Sequence, residues 1–179
     1  MDAEDPVEPF GGQEVHRPPP GEHQQHGGQH RQAQAVAEGA AAVEGVKVQL
    51  LSVADADRNW DVLAAADAII FGAPTYMGSV SADFKKFMDA SSKAWFASAW
   101  KDKLAAGFTN SGSQSGDKLN SLIQLMVFAN QQGMLWVSLG LMPGNNNSKG
   151  SVDDLNRLGS FSGAMAQSNV DQGAEGMLE

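Results

Sequence analysis

Apolar residues along the chain switch between two spacings. "VKVQLLSV" (46–53) alternates and is β-branched, which predicts a strand. "AIIFG" (68–72) is a continuous apolar run, the pattern of a strand buried on both faces. "KLAAGFTN" (103–110) and "MLWVSLG" (134–140) read as two further strands. Helical spacing takes over between them. Ala33, Val36, Ala40 and Val43 form a stripe that Gly45 would cap. "DADRNWDVLAAAD" reads as a short helical link with Asp57 as its N-cap. Phe84, Phe87 and Met88 mark one side of a helix from 81 to about 92, and "KLNSLIQLMVFANQQ" (118–132) is a strongly apolar helix closed by Gly133. Strands alternating with helices predict an α/β fold with a parallel sheet, in which ligands sit beyond the carboxyl ends of the strands.

Both ends of the chain lack this pattern. Residues 1–30 hold five of the seven prolines and all four histidines, His16, His23, His26 and His30, with little apolar content. Such a segment buries too little surface to offset its ordering entropy, so a disordered tail is expected. A His-bearing tract can hold a metal weakly, but no ligand spacing on a regular element supports one. After residue 140 the chain is rich in Gly, Asn and Ser and recovers no long periodic stretch. The expected organisation is a tail over 1–30, one domain over 31–172 and a flexible end over 173–179.

Composition narrows the chemistry. A formal net charge of -9 disfavours a phosphate-backbone partner, so no nucleic acid is expected. The absence of cysteine excludes disulfides, thiolate metal sites and Cys nucleophiles. The acidic start "MDAEDPVEPF" is unlike a signal or transit peptide, and no apolar run reaches membrane-spanning length. A cytoplasmic protein, at most peripheral to a membrane, is the expectation.

Two loops at predicted strand ends carry the candidate chemistry. In "GAPTYMGS" (72–79), Pro74 stiffens the turn, Gly72 and Gly78 allow close backbone approach, and Thr75 offers a hydroxyl. Tyr76, the only tyrosine, and Met77 put apolar surface where a loop is normally polar. Amides for a polar edge beside an aromatic and a thioether suit a flat amphipathic ligand. An ordinary turn whose Tyr and Met cover the sheet end is the alternative. "TNSGSQSGD" (109–117) gathers small and polar residues before a helix, where N–H groups can meet an anion or carbonyl. Its alternative is a flexible loop with Ser115 or Asp117 as N-cap. Trp95, Phe96 and Trp100 in "SSKAWFASAW" read first as core or interface.

"DAIIFGAPTYMGSVSADFKKFMD", "KLAAGFTNSGSQSGD" and "NQQGMLWVSLGL", in that order, resemble the flavodoxin-like NAD(P)H:quinone oxidoreductases, the tryptophan-repressor-binding-protein-like flavoproteins. The match runs from about residue 31 to 172 and is most specific in the P-T-x-x-G loop. The resemblance implies a doubly wound sheet of order 2-1-3-4-5 and FMN as cofactor. It implies that Pro74, Thr75, Tyr76, Met77 and Gly78 line the ring and ribityl, and that Ser111, Gly112, Ser113, Gln114 and Gly116 hold the pyrimidine side. Gln132, one of two glutamines where the family has paired histidines, would make an altered ring contact. Trp95 falls near the implied nicotinamide or quinone site. The implied reaction is hydride transfer from NAD(P)H to FMN and two-electron reduction of a quinone, with no catalytic side chain required and a homo-oligomer, dimer or tetramer, as the assembly.

The chain departs from this pattern at both ends. No apolar strand with a Ser/Gly phosphate loop precedes Arg31, and "HQQHGGQHRQ" stands in its place. In a 2-1-3-4-5 sheet that strand is central, so 46–53 and 68–72 are expected to lose their pairing partner. The family's last helix is also unmatched, which predicts a partly bare apolar face. A chain binding FMN weakly or not at all, and a flavodoxin-type electron carrier, are therefore the competing readings.

Overall fold

The computed structural model of the protein describes residues 20–172 and 177–178. The expected 1–30 tail lies outside the described residues as far as residue 19. From Pro20 the finding differs, because helix α1 (Pro20–Ala41) already covers the rest of it. Proline is at home in a first helical turn, and the glutamines that follow are good helix formers. Gly28 costs helix propensity but fits here: a Cβ in its place would overlap Ser168 Oγ and touch the Asn110 amide. The helix thereby lies close against strands β4 and β6, defined below.

The predicted strand over 46–53 does not form. Residues 46–52 are neither strand nor helix, and Val46, Val48 and Leu50 are exposed. Alternation prepared this segment for a sheet, but a strand needs a neighbour, and among the described residues none pairs with it. The helical link divides into α2 (Val53–Ala56), capped by the Ser52 hydroxyl on Asp55 N, and α3 (Trp60–Ala65). Asp57 ends α2 instead of starting a helix, and Asn59 precedes α3.

The main sheet is α/β and mostly parallel. Strand β1 (Ala68–Gly72) pairs parallel to β4 (Leu104–Ser111), from Ala68 opposite Leu104 to Gly72 opposite Phe108. Near its end β4 pairs parallel to β6 (Ala164–Ser168), and at its start to β5 (Leu135–Trp136), shorter than the predicted 134–140. β7 (Met177–Leu178) closes the edge antiparallel to β6. The path β1-β4-β6-β7, with β5 on β4, leaves the other edge of β1 unpaired among the described residues. Contrary to expectation, β1 is not buried on both faces. Ile69 and Phe71 are buried, whereas Ala68 and Ile70 are exposed. Leu104, Leu135 and Val137 are likewise exposed, so among the described residues apolar side chains of this sheet are left uncovered.

The core lies on the other face. Phe71 meets Phe84 of α4 (Ala82–Ala90), Phe128 of α6 (Lys118–Gln131) and Trp100, which is 0% exposed, and Phe87 of α4 packs on the same three rings. Trp60 and Phe87 stack with ring centroids 5.4 Å apart, and Trp60 and Trp100 at 6.2 Å. Packed aromatics of this kind add about 0.5–1.5 kcal/mol per pair beyond their buried area. Trp100 is thus core, while Trp95 and Phe96, on and ending α5 (Ser92–Phe96), are exposed.

Candidate functional site

Parallel β1 and β4 deliver both candidate loops to the same end of the sheet. The first begins with buried Ala73 and Pro74 and then forms a hairpin, β2 (Thr75–Tyr76) with β3 (Ser79–Val80). Its tip is Met77-Gly78, with φ of 49° and 78°. Two positive φ values in a two-residue loop give the twist that hairpins favour, and glycine takes the second at no steric cost. Met77 is 90% exposed and Tyr76 half-buried, so the apolar pair does stand out from the scaffold.

Thr75 points the other way. Its Oγ1 donates to Ser121 Oγ and shares a hydrogen bond with Thr109 Oγ1, both at 2.8 Å. All three residues are buried. The hydroxyl offered to a ligand by the sequence is engaged inside the protein, where it ties the hairpin to β4 and α6. Asn120 Nδ2 donates to Gly78 O, and Ser79 Oγ to Gln124 Oε1, so α6 holds the hairpin at three points.

The second loop runs from buried Ser111 through Gly112 and exposed Ser113, Gln114 and Ser115 to Gly116. Asp117 occupies the N-cap position of α6 in a left-handed conformation, φ 56°, and its side chain makes no capping bond. Sequence reasoning missed the residue behind the loop. Lys118 is 0% exposed, and its Nζ donates to Ser111 Oγ at 2.8 Å and to Ser113 O at 2.7 Å. Burial and the nearby Arg157 guanidinium lower its pKa from 10.5 to about 8. A usable signal was present. Lys118 heads the buried stripe of α6 that continues through Ser121, Leu122, Leu125, Phe128 and Ala129.

A cleft of about 890 Å³ opens beside this loop, lined by Gln114, Asn120, Arg157, Phe161 and Met165 among others. It reaches Gln114 but not Tyr76 or Met77. The remaining candidates lie elsewhere. Gln132 follows the last turn of α6, donates to Ser91 Oγ at 2.8 Å and has a buried Oε1 without a partner. The Trp95 N–H bonds back to Ser91 O. Both residues stand by the start of β4, the end opposite Ser111. Eight residues of strand, roughly 25 Å at about 3.3 Å per residue, separate them from the loops.

The described residues fit the two halves of an FMN molecule unequally. The ring half has an exposed thioether and a half-buried phenol on one loop, with open polar backbone and a cleft at the other. The phosphate half has no counterpart of this kind. At residues 26–31 α1 is continuous helix, so its N–H groups bond within the helix and form no loop of free amides.

Comparison with known proteins agrees with the geometry. Residues 21–145 match the model of the NADPH-dependent FMN reductase family. The chain is 49% identical over 140 residues to Flavodoxin FldP of Pseudomonas aeruginosa, covering 75% of each. It is 32% identical over 143 residues to an NAD(P)H dehydrogenase (quinone) of Methanosarcina mazei, 65% of this chain and 68% of the relative. A crystal structure of a WrbA-like flavodoxin from Agrobacterium tumefaciens superposes with a TM-score of 0.55 at 50% identity, covering 74% of this chain and 83% of that one. The chain belongs to the NADPH-dependent FMN reductase family. FMN is the cofactor that membership brings.

Proposed function

We propose that the chain is an FMN-dependent NAD(P)H:quinone oxidoreductase acting by two-electron transfer. The observation that carries this reading is the convergence of loops 72–79 and 109–117 at one end of the β1–β4 pair, one apolar at its tip and the other polar. When bound, FMN supplies hydride acceptance from a nicotinamide and hydride donation to a quinone. The chain's residues bind and orient it. Tyr76 and Met77 offer the ring an apolar wall, Pro74 and Gly78 fix that wall's backbone, and Ser111, Gly112, Ser113, Gln114 and Gly116 offer its pyrimidine edge backbone and side-chain partners. No side-chain acid or base is assigned to the reaction. Relatives named NAD(P)H dehydrogenase (quinone) support the choice of substrate pair.

A cytoplasmic location and a homo-oligomer belong to the same proposal. Exposed Trp95 and Phe96 support association, and among the described residues no helix is long and apolar enough to cross a membrane. Gln132 and Trp95 have no place in the ring site of a single chain. Their roles toward the ring and the substrate remain part of the proposal only within such an assembly.

Two observations favour competing readings. Unbroken α1 and the unpaired β1 edge favour a fragment that binds FMN weakly, and the 49%-identical relative bears the name flavodoxin, which favours an electron carrier. Titration with FMN followed by an NAD(P)H oxidation assay with benzoquinone separates all three. The oxidoreductase binds FMN and consumes NAD(P)H when quinone is added, the carrier binds FMN tightly without that turnover, and the fragment binds FMN weakly or not at all and turns nothing over.

A further inference from the structure

A lysine with no carboxylate partner is rarely fully buried without a task. Lys118 is such a lysine among the described residues, and its ammonium donates to Ser111 Oγ and Ser113 O, both on the 109–117 loop. The charged groups around it are Arg157, which repels it, and its chain neighbour Asp117, which is exposed and does not pair with it. From the other side of the loop, Gln167 Nε2 donates to Gly112 O at 3.3 Å, and Arg157 in turn donates to Gln167 Oε1 at 3.4 Å. Two successive carbonyls of the loop are therefore held by side-chain donors.

The consequence follows from peptide geometry. In a trans peptide the C=O and N–H point in opposite directions, and no described peptide is cis. Fixing Ser113 O on Lys118 turns the Gln114 N–H away from the ammonium, and Gln114 itself lines the cleft. A cation on the carbonyl also polarises that peptide and strengthens its N–H as a donor. We infer that Lys118 is a positioning residue that aims the Gln114 N–H at a carbonyl oxygen on the pyrimidine edge of the flavin. The assignment rests on the flavin reading above.

The test is an FMN titration, followed by flavin fluorescence, of wild type, Lys118→Met and Lys118→Arg across pH 7–9.5. The FMN phosphate, with its second pKa at about 6, stays dianionic throughout this range. Wild type should bind more weakly as pH rises through about 8, where Lys118 loses its proton. Lys118→Met should bind about tenfold more weakly at pH 7 and show no such pH step. Lys118→Arg, charged at every pH used, should recover affinity and also lack the step. Urea melts of the apo-proteins guard against misfolding, since a purely structural role moves stability without creating or abolishing a pH step in FMN affinity. Wild type binding FMN with a flat profile, or Lys118→Met matching wild type, overturns the Lys118 assignment alone. A wild-type chain that binds no FMN overturns the flavin reading and the assignment with it.

Discussion

Thr75→Val removes one oxygen from the base of the flavin-side hairpin and preserves the shape of the side chain. Thr75 Oγ1 is 2.8 Å from Thr109 Oγ1 and 2.8 Å from Ser121 Oγ. The three residues are 3%, 0% and 0% exposed, so water cannot replace what is lost. Each net hydrogen bond is worth about 0.5–1.5 kcal/mol, which puts the loss at ~1–3 kcal/mol. In a domain of this size 1 kcal/mol moves the melting midpoint by about 2–4 °C. The assay is urea unfolding of the apo-protein at constant slope, read as a shift in midpoint. Thr75→Ser, which keeps the hydroxyl, should retain most of the stability. A loss below about 0.5 kcal/mol for Thr75→Val, or equal losses for Val and Ser, would refute the claim that this hydroxyl serves the scaffold.

Two glycines of α1 should respond with opposite signs. Gly39 has open space around it, so Gly39→Ala should stabilise by ~0.5–1 kcal/mol through helix propensity. Gly28→Ala should destabilise, because the new methyl overlaps Ser168 Oγ; thermal melts of the two variants check both signs. Lys118 also sets a pH dependence of stability. Its folded pKa of about 8 lies below its ordinary 10.5, so between these values the unfolded chain holds more protons, and stability should rise with pH across that window. Urea midpoints of wild type and Lys118→Met at pH 7.5 and 10 test this, with the rise specific to wild type.

Local pattern carried most of the fold. β1, β4, α4 and α6 lie close to where the period of apolar residues places them, because each buries a stripe that a short window reveals. Pairing is the non-local part. The alternation of 46–53 specified a strand, yet with no pairing strand among the described residues Val46, Val48 and Leu50 are left exposed. The apolar run of 68–72 hid that Ile70 would be left exposed among the described residues. β6, "AMAQS", went unseen because it has no β-branched residue and its pairing to β4 comes from over fifty residues away. At the site, the sequence indicated both loops but not the direction of their groups. Thr75 turned inward, and Lys118, which reads by itself as a solvated helix start, sits beneath the loop. Gln132 and Trp95 were grouped with the ring by resemblance, while the course of β4 and α6 carries them to the far end of the sheet.

The central claim is that the ring half of this site suffices to hold FMN and to pass two electrons from a nicotinamide to a quinone. The most direct measurement is NAD(P)H oxidation by the purified chain supplied with FMN, with and without benzoquinone. Saturable, FMN-dependent oxidation that requires the quinone and falls in Lys118→Met is the expected result. Protein that stays colourless after FMN titration and leaves NAD(P)H unconsumed contradicts the account.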